Sequence, residues 1–140
     1  MGSPSISYGD YMGLIYTSIR VKDLKRSVEF YMKCLGMKVV GRRSWVPGEK
    51  VVMLLSKDSG QRINLMHFSK GCMWYTPYKE NGSELDHLMF EVKDAKKLYN
   101  ELVVKGAPAA TELWEHNGMV MGYIKDPNGI WIGVRSERKK

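Results

Sequence analysis

The 140-residue sequence predicts an α+β domain built from two βαβββ repeats, and three observations carry that prediction. A segment beginning at Leu14 can be laid on one beginning at Leu85, Leu on Leu and Val-Lys-Asp on Val-Lys-Asp. Each copy opens with an eight-residue alternating run of strand character (Leu14 to Val21, Leu85 to Val92). Each then switches to a helical period that ends at a glycine.

The duplication is legible in the letters. LIYTSIRVKDLKRSVEFYMKCLG from Leu14 lies on LDHLMFEVKDAKKLYNELVVKG from Leu85, with Val21, Lys22 and Asp23 on Val92, Lys93 and Asp94. Further on, VVMLLSKDSGQRINLM from Val51 lies on MVMGYIKDPNGIWIGV from Met119, with Lys57 and Asp58 on Lys125 and Asp126. One inserted residue then brings Gly60 onto Gly129. A repeat of about 70 residues exceeds the roughly 20 to 50 of a solenoid unit, so two copies make one pseudo-symmetric domain.

The elements follow in chain order. Asp23 and Asp94 are suited to N-cap a helix, because their carboxylates can accept from the free amides of the first turn. Val28, Tyr31, Met32 and Leu35, then Leu98, Tyr99, Leu102 and Val103, follow the spacing of a buried helical stripe. Gly36 and Gly106 supply the left-handed residue that closes each helix. Three strands follow in repeat one, over Met37 to Ser44, Lys50 to Ser56 and Arg62 to Phe68, with a turn at Lys57 to Gly60. Asp126 to Gly129 makes the corresponding turn in repeat two. The domain is therefore 14–135, with repeat one at 14–68, a connector at 69–84 and repeat two at 85–135. A flexible extension (1–13) and a basic tail (136–140) flank it.

Composition narrows the function classes. No run of 18 apolar residues exists and the N-terminus lacks a signal-peptide pattern, which predicts a cytoplasmic protein without a membrane partner. Cys34 and Cys72 fit neither a disulfide framework nor a CxxC pattern, and no base stands beside Cys72 to make it a nucleophile. The net charge of +7, from 22 basic and 15 acidic residues, favours anionic over cationic ligands. Much of it is spread over helix surfaces and the tail, the pattern of solvated charge, so no nucleic-acid partner is expected.

The TSIRVKDLKRSVEFYMKCLGM stretch from Thr17 to Met37, with LDHLMFEVKD and KDPNGIWI in the second copy, resembles the vicinal oxygen chelate superfamily: glyoxalase I, bleomycin-resistance proteins and extradiol dioxygenases. The likeness to lactoylglutathione lyases is the most marked and spans about residues 14 to 135. It implies curved mixed sheets around a central cavity that holds ligand and metal, completed in single-module members by a homodimer partner. It also implies four metal ligands, one from the first and one from the last strand of each repeat.

Those positions fall on Tyr16, Asn64, His87 and Gly133, and the internal repeat pairs them the same way. Only His87 is a good ligand, whereas divalent metals need several converging donors with negative charge, so no cofactor is expected. Gly133 also cannot serve as the general base that the resemblance assigns to a glutamate there. His67, Glu115 and His116 are the remaining donors nearby, although alternation turns His67 away from Asn64.

Alternation instead sends Tyr16, Ser18 and Arg20 inward, with His87, Met89 and Glu91 equivalent to them. The resemblance matches Arg20 to an arginine that contacts a glutathione carboxylate; a structural pair with Glu91 is the alternative. Asn64, Met66, Tyr123 and Trp131 complete a mostly apolar pocket, or else simply pack. The ligand-binding candidates are thus Arg20, Tyr16, Asn64, His87 and Trp131. The connector's Cys72, Trp74, Tyr75 and Tyr78 are placed to cover the cavity or a dimer contact.

Two functions compete with a third behind them. The first is a small-molecule binding protein, taking a neutral or anionic ligand without metal. The second is a lyase or isomerase of glyoxalase type with an atypical Ni, Zn or Fe site. The third is a structural or regulatory interaction protein.

Overall fold

The computed structural model describes residues 16–79, 85 and 87–138. The extension at 1–13, part of the connector and the last two residues of the basic tail lie outside these described residues. The order is β1 (Thr17–Arg20), α1 (Leu24–Lys33), β2 (Lys38–Arg43), β3 (Glu49–Leu55), β4 (Arg62–Phe68), β5 (Leu88–Glu91), α2 (Ala95–Val104), β6 (Trp114–His116), β7 (Met119–Lys125) and β8 (Trp131–Glu137). This is βαβββ twice, as the repeat predicts. The last strand runs past residue 135 into what the sequence suggested was tail.

Each repeat folds its own four-stranded mixed sheet, ordered β1-β4-β3-β2 and β5-β8-β7-β6, and the sheets do not close into a barrel. In both, the first strand lies parallel to the last. Ser18 stands opposite Asn64 and Met89 opposite Gly133, so the two copies correspond position for position on these strands.

The inner hairpins are less regular. Val51 pairs with Met66 and Met121 with Arg135, which makes Val51 the counterpart of Met121 and not of Met119. The sequence match is out by two residues because it aligned the Lys-Asp letters of two turns that differ in length. Ser56 closes its turn against Gln61, whereas Asp126 closes its own against Ile130, so Ser56 occupies the place of Asp126.

Helix capping follows the sequence. The Asp23 carboxylate accepts from the Arg26 amide and that of Asp94 from the Lys97 amide, while Gly36 and Gly106 take positive φ of 66° and 103°. The stripes bury Ser27, Val28 and Tyr31 on α1 and Ala95, Tyr99 and Leu102 on α2. Met32 and Val103 are exposed, contrary to expectation. Each helix lies on only one sheet, so the buried stripe is narrow and residues at its edge stay in water.

The helix-side faces of both sheets share one core, in which Ile19, Leu54 and Leu65 join Ile124, Ile132 and Val134 around Tyr31, Tyr99 and Leu102. A polar knot crosses it. Asp126, 3% exposed, accepts from the Tyr31 hydroxyl at 2.9 Å, from Asn128 through its amide at 2.8 Å and its side chain at 3.0 Å, and from the Ile130 amide at 2.8 Å. Asn128 also donates to Ser27 and accepts from the Lys22 amide. The turn of repeat two is thereby fastened to α1 of repeat one and to the link between β1 and α1.

Burial, with the Asp126 charge adding to it, pushes the Tyr31 hydroxyl's pKa upward, so it remains a donor throughout the neutral range. Tyr31→Phe leaves the buried carboxylate short of a donor and should cost about 1–3 kcal/mol in denaturant unfolding at neutral pH. Above about pH 10 the unfolded chain's tyrosine ionises while the buried one keeps its proton, so stability falls as pH rises. That alkaline loss should be smaller in the Phe variant.

Candidate functional site

The two sheet faces turned away from the helices differ sharply. On the sheet of repeat two, Trp114 stacks on Tyr123 with ring centroids 5.8 Å apart and planes 26° apart. Trp131 lies 5.6 Å beyond Tyr123, and His87 meets the same ring edge-on at 5.2 Å. Register explains the gathering. Tyr123 is opposite Gly133 in the β7–β8 ladder and Trp114 is opposite Met121, so all these side chains rise from one face. Both indoles are 39% exposed and present a flank to solvent.

Gly133 permits this platform. A Cβ at that position would lie 2.6 Å from Tyr123 Cε1 and 2.7 Å from Met89 Cε. The space above Gly133 is filled by a ring and a thioether, soft apolar groups in contact with each other's neighbours.

On the sheet of repeat one, Asn64 is 3% exposed, and Tyr16, just ahead of β1, is 38% exposed. Arg20 is held by the connector: Nη1 donates to Thr76 Oγ1 at 2.6 Å and Nη2 to the Thr76 carbonyl. Its guanidinium lies 5.1 Å from the Phe68 ring centroid and 5.9 Å from that of Tyr75. Arg20 therefore pairs with connector groups and not with Glu91, the structural partner considered from sequence. A carbonyl, a hydroxyl and two ring faces hold an arginine without asking a carboxylate to be desolvated.

Of the predicted ligand-binding residues, the structure gathers His87 and Trp131 around Tyr123. It places Arg20 with the connector, Asn64 on β4 of the first sheet and Tyr16 just ahead of β1. His67 pairs with Lys50 and Asn64 with Met53, so His67 does face away from Asn64. Glu115 and His116 are exposed on β6, where Glu115 lies 3.6 Å from Arg138. Cys72, within the connector, is buried with its Cβ against Gly48. Trp114 was not foreseen. Asn117-Gly118, a hairpin turn with φ of 50° and 77°, was the signal that could have placed β6 and its tryptophan.

The four family ligand positions fit a metal poorly. Tyr16, Asn64, His87 and Gly133 offer one imidazole and no carboxylate, and the glycine's space is taken. Among the described residues no three His, Cys, Asp or Glu side chains converge to hold an ion.

Paired βαβββ sheets, parallel at their first and last strands and carrying those four positions, define a module of vicinal oxygen chelate type. A family model described as the Glyoxalase/Bleomycin resistance protein/Dioxygenase superfamily matches residues 13–134, and the chain belongs to that superfamily. A probable lactoylglutathione lyase of Synechocystis is 28% identical over 92% of this chain and 99% of its own. The trypanothione-dependent glyoxalase I of Leishmania major superposes with a TM-score of 0.73 and 29% identity, over 91% of this chain and 88% of that one. A glyoxalase family protein of Bacillus cereus shares the fold at a TM-score of 0.78 and 20% identity, over 96% of this chain and all of its own.

Refilling the glycine position tests the geometry. Gly133→Glu alone should destabilise by about 1–3 kcal/mol through overpacking. Adding Met89→Ala should recover part of that loss, with a coupling of about 0.5–3 kcal/mol in a double-mutant cycle followed by urea unfolding. Strictly additive losses would show that Met89 does not occupy the space.

Proposed function

We propose that this superfamily member binds a small neutral or anionic molecule with a planar apolar part, against the ring platform of the second sheet, and does so without a metal ion. The observation that carries the reading is the Trp114–Tyr123–Trp131 array beside His87, built over a glycine where a metalloenzyme of this family would present a carboxylate. Flat aromatic faces with a single polar handle suit such a ligand. The charge of +7 disfavours a cationic one.

A homodimer belongs to the same reading, since indoles 39% exposed on an open sheet face gain cover from a second copy. No helix among the described residues is long and apolar enough to cross a membrane. A cytoplasmic setting is part of the proposal, in line with two cysteines that form no disulfide framework.

The lactoylglutathione lyase reading rests on the names of relatives such as the Synechocystis protein. It requires a donor set and a general base that Tyr16, Asn64, His87 and Gly133 do not supply.

Titration of Zn(II) and Ni(II) into untagged protein by calorimetry should give no stoichiometric sub-micromolar binding, and such binding would overturn the metal-free reading. In parallel, 2-naphthoate and its neutral amide should quench tryptophan fluorescence saturably. Trp131→Ala should weaken the tighter of the two by about tenfold, the loss of one stacking face. An affinity unchanged by that substitution would remove the platform from the binding site.

A further inference from the structure

The end of the first sheet where β2 turns into β3 carries large apolar side chains that the core does not use. Ser44 to Gly48 link the two strands, and this tip meets the connector. The Ser69 amide donates to the Gly48 carbonyl at 2.9 Å, and a Cβ on Gly48 would come within 2.9 Å of Cys72 Cβ. From the two touching segments Trp45 stands 70% exposed and Met73 76% exposed, with Trp74 exposed next to Met73 in the chain. None of the three belongs to the shared core.

The Trp45 indole is in water and yet held. Its amide donates to Glu49 Oε1 at 2.9 Å, and the Glu49 amide closes the tip by donating to the Val46 carbonyl at 3.1 Å. The Arg43 guanidinium lies 3.8 Å from the indole's ring centroid and 3.6 Å from the buried Glu49 carboxylate. Sealing a carboxylate from water is unfavourable in itself, and here it fixes a loop whose largest side chain stays outside.

The duplication supplies an internal comparison. The matching hairpin of repeat two turns through Asn117 and Gly118 alone, with no apolar side chain at its tip. The scaffold therefore does not require the longer tip or its tryptophan.

Charge sets the character of this end. Over 40–53 and 66–79 the sequence places five lysines and arginines against one acid, Glu49, and that acid is buried. Arg42, Lys50 and Lys70 are all exposed there.

We propose that the hairpin tip and the connector form a contact surface for an anionic lipid bilayer. Trp45 and Met73 enter the interfacial region, while Arg42, Lys50 and Lys70 lie over the headgroups. Indole is at home at headgroup depth, where one edge is apolar and the other wet. A rigid protein partner would need a socket for each of two protruding side chains, whereas a fluid interface receives both without one. Apolar insertion and a basic patch are each marginal alone, and together they give stable attachment. The lack of a long apolar helix among the described residues bears on crossing a bilayer, not on lying against one.

Cosedimentation of the intact chain with phosphatidylcholine vesicles, with and without phosphatidylglycerol, tests the proposal. The chain should pellet with the anionic vesicles, remain in solution with the neutral ones, and be released as salt is raised. Trp45→Ser and Met73→Ser should each lower the partition coefficient by about tenfold, and Lys50→Ala and Lys70→Ala by about fivefold each. Met73, which anchors nothing in the fold, guards against a loss caused by misfolding of the Trp45 variant, and thermal melts check both. Brominated acyl chains should quench tryptophan emission, less so in Trp45→Phe and undiminished in Trp131→Ala. Failure to bind anionic vesicles, equal binding to neutral ones, or binding that survives both serine substitutions would overturn the proposal. Self-association in sedimentation velocity that Met73→Ser abolishes would instead make this end a contact between copies of the chain, and would overturn it too.

Discussion

A buried carboxylate organises this molecule. Asp126 sits in the tight turn between β7 and β8, yet it bonds to Tyr31 on α1 of the other repeat. Asn128, two residues on, bonds to Ser27 and to the Lys22 amide. Hydrophobic contact between the two halves is non-directional and would tolerate sliding. A carboxylate with four donors, sealed from water, tolerates very little, because each lost donor leaves a desolvated oxygen. The relative setting of the repeats, and with it the position of Lys22 and the connector, depends on this turn. At the matching turn of repeat one Ser56 stands in the place of Asp126 and brings no carboxylate.

The asymmetry explains what the sequence disclosed and what it withheld. Period, caps and closing glycines are local properties, so β4 was bounded correctly and both aspartate caps were identified. The correspondence of Asn64 with Gly133 was also legible, since first and last strands are in register in both copies. Turn length is not visible in a letter match, and the Lys-Asp coincidence drew β3 and β7 two residues out of register. Met32 and Val103 satisfied the helical period yet stay exposed, because periodicity gives a face and not its width. Arg20 was recognised as an inward cation, but its partner, Thr76, lies in a connector with no periodic signal at all.

Duplication followed by divergence has given the two halves different chemistry on one scaffold. The first sheet's outer end gathers cations and aromatic rings under the connector, while the second sheet's open face gathers rings alone. Arg20 and Glu91 stand at equivalent positions with opposite charges, and the structure does not pair them. Separation of charge between copies lets each half be tuned without disturbing the shared core, whose strand residues point to the opposite face.

Gly133 shows why a metal site and a ring platform are alternatives here and not companions. A glutamate at this position needs its Cβ and Cγ where Tyr123 and Met89 now lie. Restoring it would push those groups off the sheet and remove the surface on which Trp114 stacks. Conversely, once the side chain is absent, a thioether and a ring can descend onto the backbone and exclude the water that a hydrated cation would bring. One missing side chain therefore accounts both for the carboxylate absent from this position and for the aromatic face that replaces it, while Tyr16 and Asn64 leave the donor set short on the first sheet's side.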